Sequence, residues 1–267
     1  MTHPTPSAAA PAERGRPAQR QAEIAEYVVS HGSVSATDLA ERFSVSLMTI
    51  HRDLDELERQ GVVRKHRGGV SAQPSSVFES NVSYRLQAAL AEKQALARQA
   101  RTLVEPGMAV MLDDSTSTLE LAKLLDGITP LTVVTNFLEA IKLLAGRPGI
   151  RLLALGGEYH GTHDSFLGVP CIEAIEALRV DLLFASTSAI AGGYAYHQEQ
   201  EIVLVKRAMM RAAQRSVLMV DHTKLGRSAL HRLAPLRDFE LVLTDAQASR
   251  QSLAEMREHG VRYEVVS

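Results

Sequence analysis

The stretch Ser35 to Leu57, SATDLAERFSVSLMTIHRDLDEL, constrains the fold more than any other part of the chain. It reads as two helices joined by a tight turn. Ser35 is placed to cap the first helix, its hydroxyl accepting a free first-turn amide. Leu39, Ala40 and Phe43 then recur at helical spacing. Ser44-Val45-Ser46 is the break. Ser46 caps a second helix that runs to about Gln60, and Gly61 supplies the stop. At about 100° per residue, Ile50, Leu54 and Leu57 form one apolar stripe. Met48 and Arg52 lie opposite it, with Thr49 and His51 on the flanks. A helix that reads base edges in a major groove needs such groups near its N-terminus. An ordinary surface helix with a polar face shows the same pattern, so the flanking sequence has to decide.

After Gly61 come Val62 and Val63, the basic run Arg64-Lys65-His66-Arg67, and Gly68-Gly69-Val70. Two short β-prone pieces around a Gly-Gly turn predict a hairpin, or wing. Arg64, Lys65 and Arg67 are placed to neutralise phosphates beside the groove. The predicted partner is double-stranded DNA, met by Ser46, Met48, Thr49, His51, Arg52, Arg64, Lys65 and Arg67.

Composition narrows the class. The chain has 267 residues, 45% of them hydrophobic, enough for one large domain or two. A net charge of −2 excludes a globally basic nucleic-acid coat protein. Even between Arg20 and Gln73 there are seven Lys/Arg against eight Asp/Glu. DNA affinity must then come from where charge sits and from a homodimer or higher homo-oligomer. The single Cys171 excludes an intramolecular disulfide and fits a reducing, cytoplasmic setting. No apolar run reaches the roughly 18 residues of a membrane span, and the N-terminus lacks a signal peptide's apolar core.

Four segments are expected. Residues 1–17, rich in Ala, Pro, Thr and Ser, read as a disordered tail. Residues 18–73 form the winged helix-turn-helix, opening with a helix over Arg20–Ser30. Residues 74–82 fall in a Pro/Ser-rich linker. Residues 83–267 form a second domain, opening with a helix from about Ser83 to Val104 that Pro106-Gly107 stops.

Within that domain, strands are expected at Met108–Leu112, Leu131–Val134, Arg151–Leu155, Val180–Ala185, Ser216–Val220, Leu241–Leu243 and Tyr263–Val266. Helices are expected at Thr118–Leu125, Phe137–Leu144, Cys171–Leu178, Glu199–Ala213 and Ala246–His259. Such alternation predicts an α/β domain with a mostly parallel sheet, and ligands in such sheets bind at the carboxyl ends of strands. Those ends carry Asp113-Asp114-Ser115-Thr116-Ser117, Thr135-Asn136, Gly156-Gly157, Ser186-Thr187-Ser188 and Asp221-His222-Thr223-Lys224. Hydroxyls and free amides at a helix start can hold a phosphate, although two aspartates would oppose one. Capping alone also accounts for the hydroxyls. Several polar strand ends together favour a pocket.

The motifs resemble those of DeoR-type bacterial transcriptional regulators. Thr49-Ile50-His51-Arg52-Asp53-Leu54 and Arg64-Lys65-His66-Arg67-Gly68-Gly69-Val70 resemble that family's T-I-R-R-D-L and R-x-H-G-G-A. His51 stands for the first Arg, and Arg67 is an extra residue before the glycines. Asp113 to Ser117 resembles D-x-G-[ST]-T with Ser115 for Gly, Thr135-Asn136 the T-N step, and Gly156-Gly157-Glu158 the G-G-E turn. Ser188-Ala189-Ile190 resembles S-G-I, Lys206-Arg207-Ala208-Met209 resembles K-R-A-M, and Val220 to Arg227 resembles V-D-H-S-K-F-G-R. Glu201 is displaced from the usual acid before the K-R step. The match covers about Arg20 to Ser267.

The resemblance implies a ribose phosphate isomerase-like second domain and a phosphorylated sugar, or related intermediate, as effector. Its expected contacts are Asp113, Ser115, Thr116, Ser117, Asn136, Gly156, Gly157, Ser188, Glu201, Lys206 and Lys224. The expected function is a repressor of sugar or carbohydrate metabolism genes, released from operator DNA by that effector. No cofactor is expected.

The alternative is a sugar-phosphate isomerase-like enzyme fused to a DNA-binding domain, with Asp113, Asp114, Glu199, Glu201 and Lys206 moving protons. Fold does not fix function, and regulators of this layout generally bind without turnover. An architectural DNA binder would not need so large an α/β sheet with polar strand ends. Cys171 lies on an apolar helical stretch and reads as core. His160 and His163 could reach one metal ion, but without further ligands at metal-site spacing none is assigned.

Overall fold

In the computed structural model, residues 11–67, 69–72 and 81–267 are described. The described residues divide into two compact units. One comprises those up to Ala72 and Ser83–Ala88, the other Asn81–Val82 and Ala89–Ser267.

The first unit contains α1 (Pro11–His31), β1 (Ser33–Val34), α2 (Ala36–Arg42), α3 (Leu47–Arg59), β2 (Val63–His66), β3 (Gly69–Ala72) and most of α4 (Val82–Arg85). Its three strands pair antiparallel in the order β1-β3-β2. Ser35 and Ser46 cap α2 and α3 with their hydroxyls, as their spacing predicts. α3 ends in a Schellman arrangement: Gly61 takes φ 72, and Val62 N–H donates to Leu57 O at 2.9 Å. Ile24, Val28, Leu39, Ile50, Leu54, Leu57 and Val70 form the core.

Two expectations for this region change. Residues 1–10 of the expected tail lie outside the described residues, but α1 begins at Pro11, well before Arg20. Proline suits the first helical position, and the Ala, Glu, Arg and Gln that follow favour helix. The expected single helix from Ser83 to Val104 is two helices, broken over residues 86–89, where Ala89 has φ 49. Tyr84 packs on the winged core, whereas Leu96, Ala97 and Ala100 pack in the second unit. Tertiary packing thus overrides a run of good helix formers. The second unit starts at Ala89 apart from the Asn81–Val82 segment, and residues 74–80 of the expected linker lie outside the described residues.

The second unit opens with α5 (Leu90–Arg101). Then follow β4 (Ala109–Leu112), α6 (Thr116–Ala122), β5 (Leu131–Thr135), α7 (Leu138–Leu144), β6 (Ile150–Ala154), β7 (Glu158–His160) and β8 (Ser165–Leu167). After these come α8 (Gly168–Glu176), β9 (Val180–Ala185), β10 (Ala189–Ala191), β11 (Tyr194–His197), α9 (Gln200–Ala212) and β12 (Ala213–Met219). β13 (His231–Pro235), β14 (Leu241–Asp245), α10 (Arg250–Glu258) and β15 (Tyr263–Val266) complete it.

Seven strands form one wholly parallel sheet in the order β15-β14-β12-β9-β4-β5-β6. One face packs under α8, α9 and α10 through Ile175, Val205, Met209 and Met256. The other packs under α5, α6 and α7 through Leu96, Leu121 and Leu144. Helices on both faces explain why the strands read as continuous apolar runs. All seven predicted strands are present. The β7–β8 hairpin and the small sheet β10-β11-β13 were not predicted, because their short segments mix polar and apolar residues. The chain steps from β4 to β5 and β6 towards one edge, then continues from β9 to β15 towards the other. The order therefore reverses between β4 and β9, and a crevice is expected at their carboxyl ends.

Candidate functional site

The first unit presents α3. Ile50, Asp53, Leu54 and Leu57 are buried. Met48 is 72% exposed, and Leu47, His51 and Arg52 are exposed too. Ser46 and Thr49 are partly committed: Ser46 Oγ accepts the Thr49 N–H at 3.2 Å and lies 2.9 Å from Thr49 Oγ1. Asp53, which shares the motif with Arg52, does structural work. Arg20 donates Nε to its Oδ2 at 2.6 Å, and Gln21 donates to its Oδ1 at 3.0 Å, pinning α1 to α3.

On the wing, Arg64 and Arg67 are exposed. Lys65 is half-buried: its ammonium pairs with Asp55, and its N–H donates to Glu58 Oε1 at 2.8 Å. Gly68 lies outside the described residues. Of the expected DNA contacts, those exposed and without a side-chain partner among the described residues are therefore Met48, His51, Arg52, Arg64 and Arg67.

The second unit's polar groups converge where the strand order reverses. Asp113 and Asp114 follow β4 and are buried at 0% and 4% exposure. Lys206, from α9, is buried between them: it pairs with Asp113 and lies 3.0 Å from Asp114 Oδ1. Burial pushes the Lys206 ammonium down, but the two carboxylates outweigh it and hold it above the ordinary lysine value. Asp113 also accepts the Ser186 N–H at 2.7 Å, from the end of β9, and the Ser115 N–H at 3.1 Å. Asp114 accepts the Ser165 hydroxyl at 3.0 Å. The aspartates expected to oppose an anionic ligand are thus already neutralised in part, and Asp113, which also accepts the Thr118 hydroxyl, is saturated with donors.

Around this cluster the expected residues divide. Ser115 caps α6 and accepts the Thr118 N–H at 3.2 Å; Thr116 and Ser117 are buried beside it. Lys224 donates to Ser186 Oγ at 3.1 Å. It also lies 3.7 Å from Asp221. Burial raises the Asp221 carboxyl, but Lys224, the Thr223 hydrogen bonds and nearby Lys93 hold it below the ordinary value. Lys93 carried no signal in the sequence beyond its place on a helix. Asn136 donates from Nδ2 to Phe166 O at 2.9 Å. Among the described residues, Ser117 Oγ and Asn136 Oδ1 are buried with no hydrogen-bond partner. Ser188 follows β9 at the same pole.

Two expected groups play other parts. Gly157, at φ 148, is dictated by packing, since a Cβ would stand 2.2 Å from Leu167 O, while Gly156 faces open space. Glu201 is exposed in the first turn of α9 and does not join the cluster. The carboxylate that turns inward is Glu199, the residue preceding α9, whose Oε1 lies 3.0 Å from His163 Nε2. The His163 hydrogen bond holds Glu199 below the usual carboxylate range against the opposing effect of burial. His160 and His197 surround the same groups: the His163 ring is 5.2 Å from that of His160 and 5.7 Å from that of His197. Spacing along the chain could not bring Glu199 to His160 and His163. Cys171 is buried, and desolvation, aided by Asp114, pushes its thiol up to about 11, which leaves it inert as a nucleophile.

No helix among the described residues is long and apolar enough to cross a membrane. Residues 20–76 match the DeoR-like helix-turn-helix domain, and residues 88–246 match the DeoR C terminal sensor domain. The chain is 30% identical over 248 residues to the glycerol-3-phosphate regulon repressor of Escherichia coli (strain K12), which spans 92% of this chain and 98% of that protein. It is 29% identical over 227 residues to the HTH-type transcriptional repressor GlcR of Bacillus subtilis (strain 168), spanning 85% of this chain and 88% of that one. Among solved structures, ribose 5-phosphate isomerase A from Methanocaldococcus jannaschii is similar over 49% of this chain and 52% of that chain, with a TM-score of 0.36 and 17% identity.

Proposed function

The chain belongs to the DeoR family of transcriptional regulators, and from that premise we propose a repressor of carbohydrate-metabolism genes that leaves its operator when a phosphorylated sugar binds. The outward face of α3 carries this reading. Met48, His51 and Arg52 stand exposed while Ile50, Leu54 and Leu57 are buried, which is how a recognition helix must sit to reach base edges. Arg64 and Arg67 reach the phosphates beside the groove. Lys65 joins them only by giving up Asp55. One winged domain covers too little DNA for tight specific binding, so the protein acts as a homodimer or higher oligomer on paired half-sites, in the cytosol.

The effector enters the crevice at the ends of β4 and β9. Two observations support that placement: the buried Lys206–Asp113–Asp114 cluster, and Ser117 Oγ and Asn136 Oδ1, which have no hydrogen-bond partner among the described residues. Lys224, Ser115, Thr116 and Ser188 complete the lining. The protein binds without turnover. Asp113 already accepts from Lys206, Ser186, Ser115 and Thr118, which leaves its carboxylate no free lone pair with which to act as a base.

The test is binding of the full chain to operator fragments selected from genomic DNA, followed by anisotropy, with a panel of sugar phosphates added. Arg52→Ala should cost about 1–3 kcal/mol of specific affinity with an unchanged circular dichroism spectrum, and one sugar phosphate should release the wild-type protein. Unchanged affinity would remove α3 as the reader. No release by any compound would remove the effector half of the reading.

A further inference from the structure

We propose that His160, His163 and Glu199 form a binding site for one divalent transition-metal ion of the zinc type. His160 ends β7, His163 lies in the turn before β8, and Glu199 stands at the start of α9. Packing of the second unit brings these segments together. One ligand atom from each lies within 4.8 Å of the other two. Glu199 Oε1 is 3.0 Å from His163 Nε2, and its Oε2 is 3.7 Å from His160 Nε2. Donors held at about 2.1 Å around a tetrahedral ion stand about 3.4 Å apart, so small side-chain shifts complete the set.

The donor chemistry selects the ion. Two imidazoles and one carboxylate suit zinc and its transition-metal neighbours, whereas calcium and magnesium take oxygen ligands. Three protein ligands leave a fourth position for water or for an oxygen of a bound molecule. The His163 side chain is 1% exposed and fixes one ligand firmly. His160 and Glu199, at 36% and 29%, leave a path for the ion from solvent. His160 Nδ1 is buried without a hydrogen-bond partner among the described residues, so its ring is not committed there to another protein group. This site rests on these three side chains and not on the identity of the effector.

Metal uptake by the full chain decides it. The chelator-stripped protein is dialysed against zinc alone, and bound metal is measured by atomic spectrometry, with cobalt substitution reporting coordination by its visible spectrum. The expected result is one zinc per chain, with affinity at least about tenfold weaker in His160→Ala and Glu199→Gln. Both positions are partly exposed, so the variants should fold, which circular dichroism verifies. His31→Ala, on α1 of the other unit, should bind as the wild type does. Absence of stoichiometric zinc in the wild type, or equal uptake by the two cluster variants, would overturn the site and leave a plain imidazole–carboxylate cluster.

Discussion

Lys206 is the residue on which the second unit's polar pole depends. Its ammonium stands between two carboxylates that solvent does not reach, so removing it leaves their charge without compensation. Breaking a buried pair in this way costs about 3–5 kcal/mol. Lys206→Met should lose stability in that range by urea denaturation, and a loss below about 1 kcal/mol would mean that water reaches the aspartates. Because Lys206 belongs to the second unit, the variant should keep DNA affinity wherever it remains folded, and lose release by effector. The motif Lys206-Arg207-Ala208-Met209 marked this lysine in the sequence, but not its bond to Asp113, which is 93 positions away. The same limit explains Glu199. Its neighbour Glu201 carried the resemblance to a family acid, and only the placement of α9 decides which of the two turns inward.

At the scale of elements, the two glycines after β6 separate ligand contact from packing. Both belong to the effector contacts that the family resemblance implies. A Cβ at Gly157 would meet Leu167 O at 2.2 Å, in a backbone conformation with φ 148 that L residues rarely adopt, whereas one at Gly156 would meet nothing within 4 Å. Gly157→Ala should therefore destabilise the protein by about 1–3 kcal/mol, and Gly156→Ala by less than about 0.5 kcal/mol. Thermal denaturation of the two variants checks this, and equal melting temperatures would mean that the turn relaxes freely. The helix-turn-helix was legible almost to the residue, because caps, apolar stripe and stop are all local signals. The hairpin β7–β8 and strands β10, β11 and β13 were not, since most of these short segments mix polar and apolar residues, whereas the strands of the parallel sheet read as apolar runs.

For the whole molecule, the two units bury separate cores, one drawn from Ile24–Val70 and the other from Leu96–Val266. A fragment of residues 89–267 should then unfold in one cooperative transition. An effector at about 100 times its dissociation constant should stabilise it by about 2.7 kcal/mol. A non-cooperative melt would show that the second unit needs the rest of the chain. By itself, the sequence determined the class of both units, helix α3 with its buried and exposed faces, and all seven strands of the parallel sheet. These follow from local periodicity and capping, which neighbours in sequence control. The break at Ala89, the burial of Lys206 between Asp113 and Asp114, the tie from Arg20 to Asp53 and the meeting of Glu199 with His160 and His163 were decided by tertiary structure alone. Each joins groups remote in sequence or sets local propensity against packing, and no local spacing encodes which distant side chain will arrive.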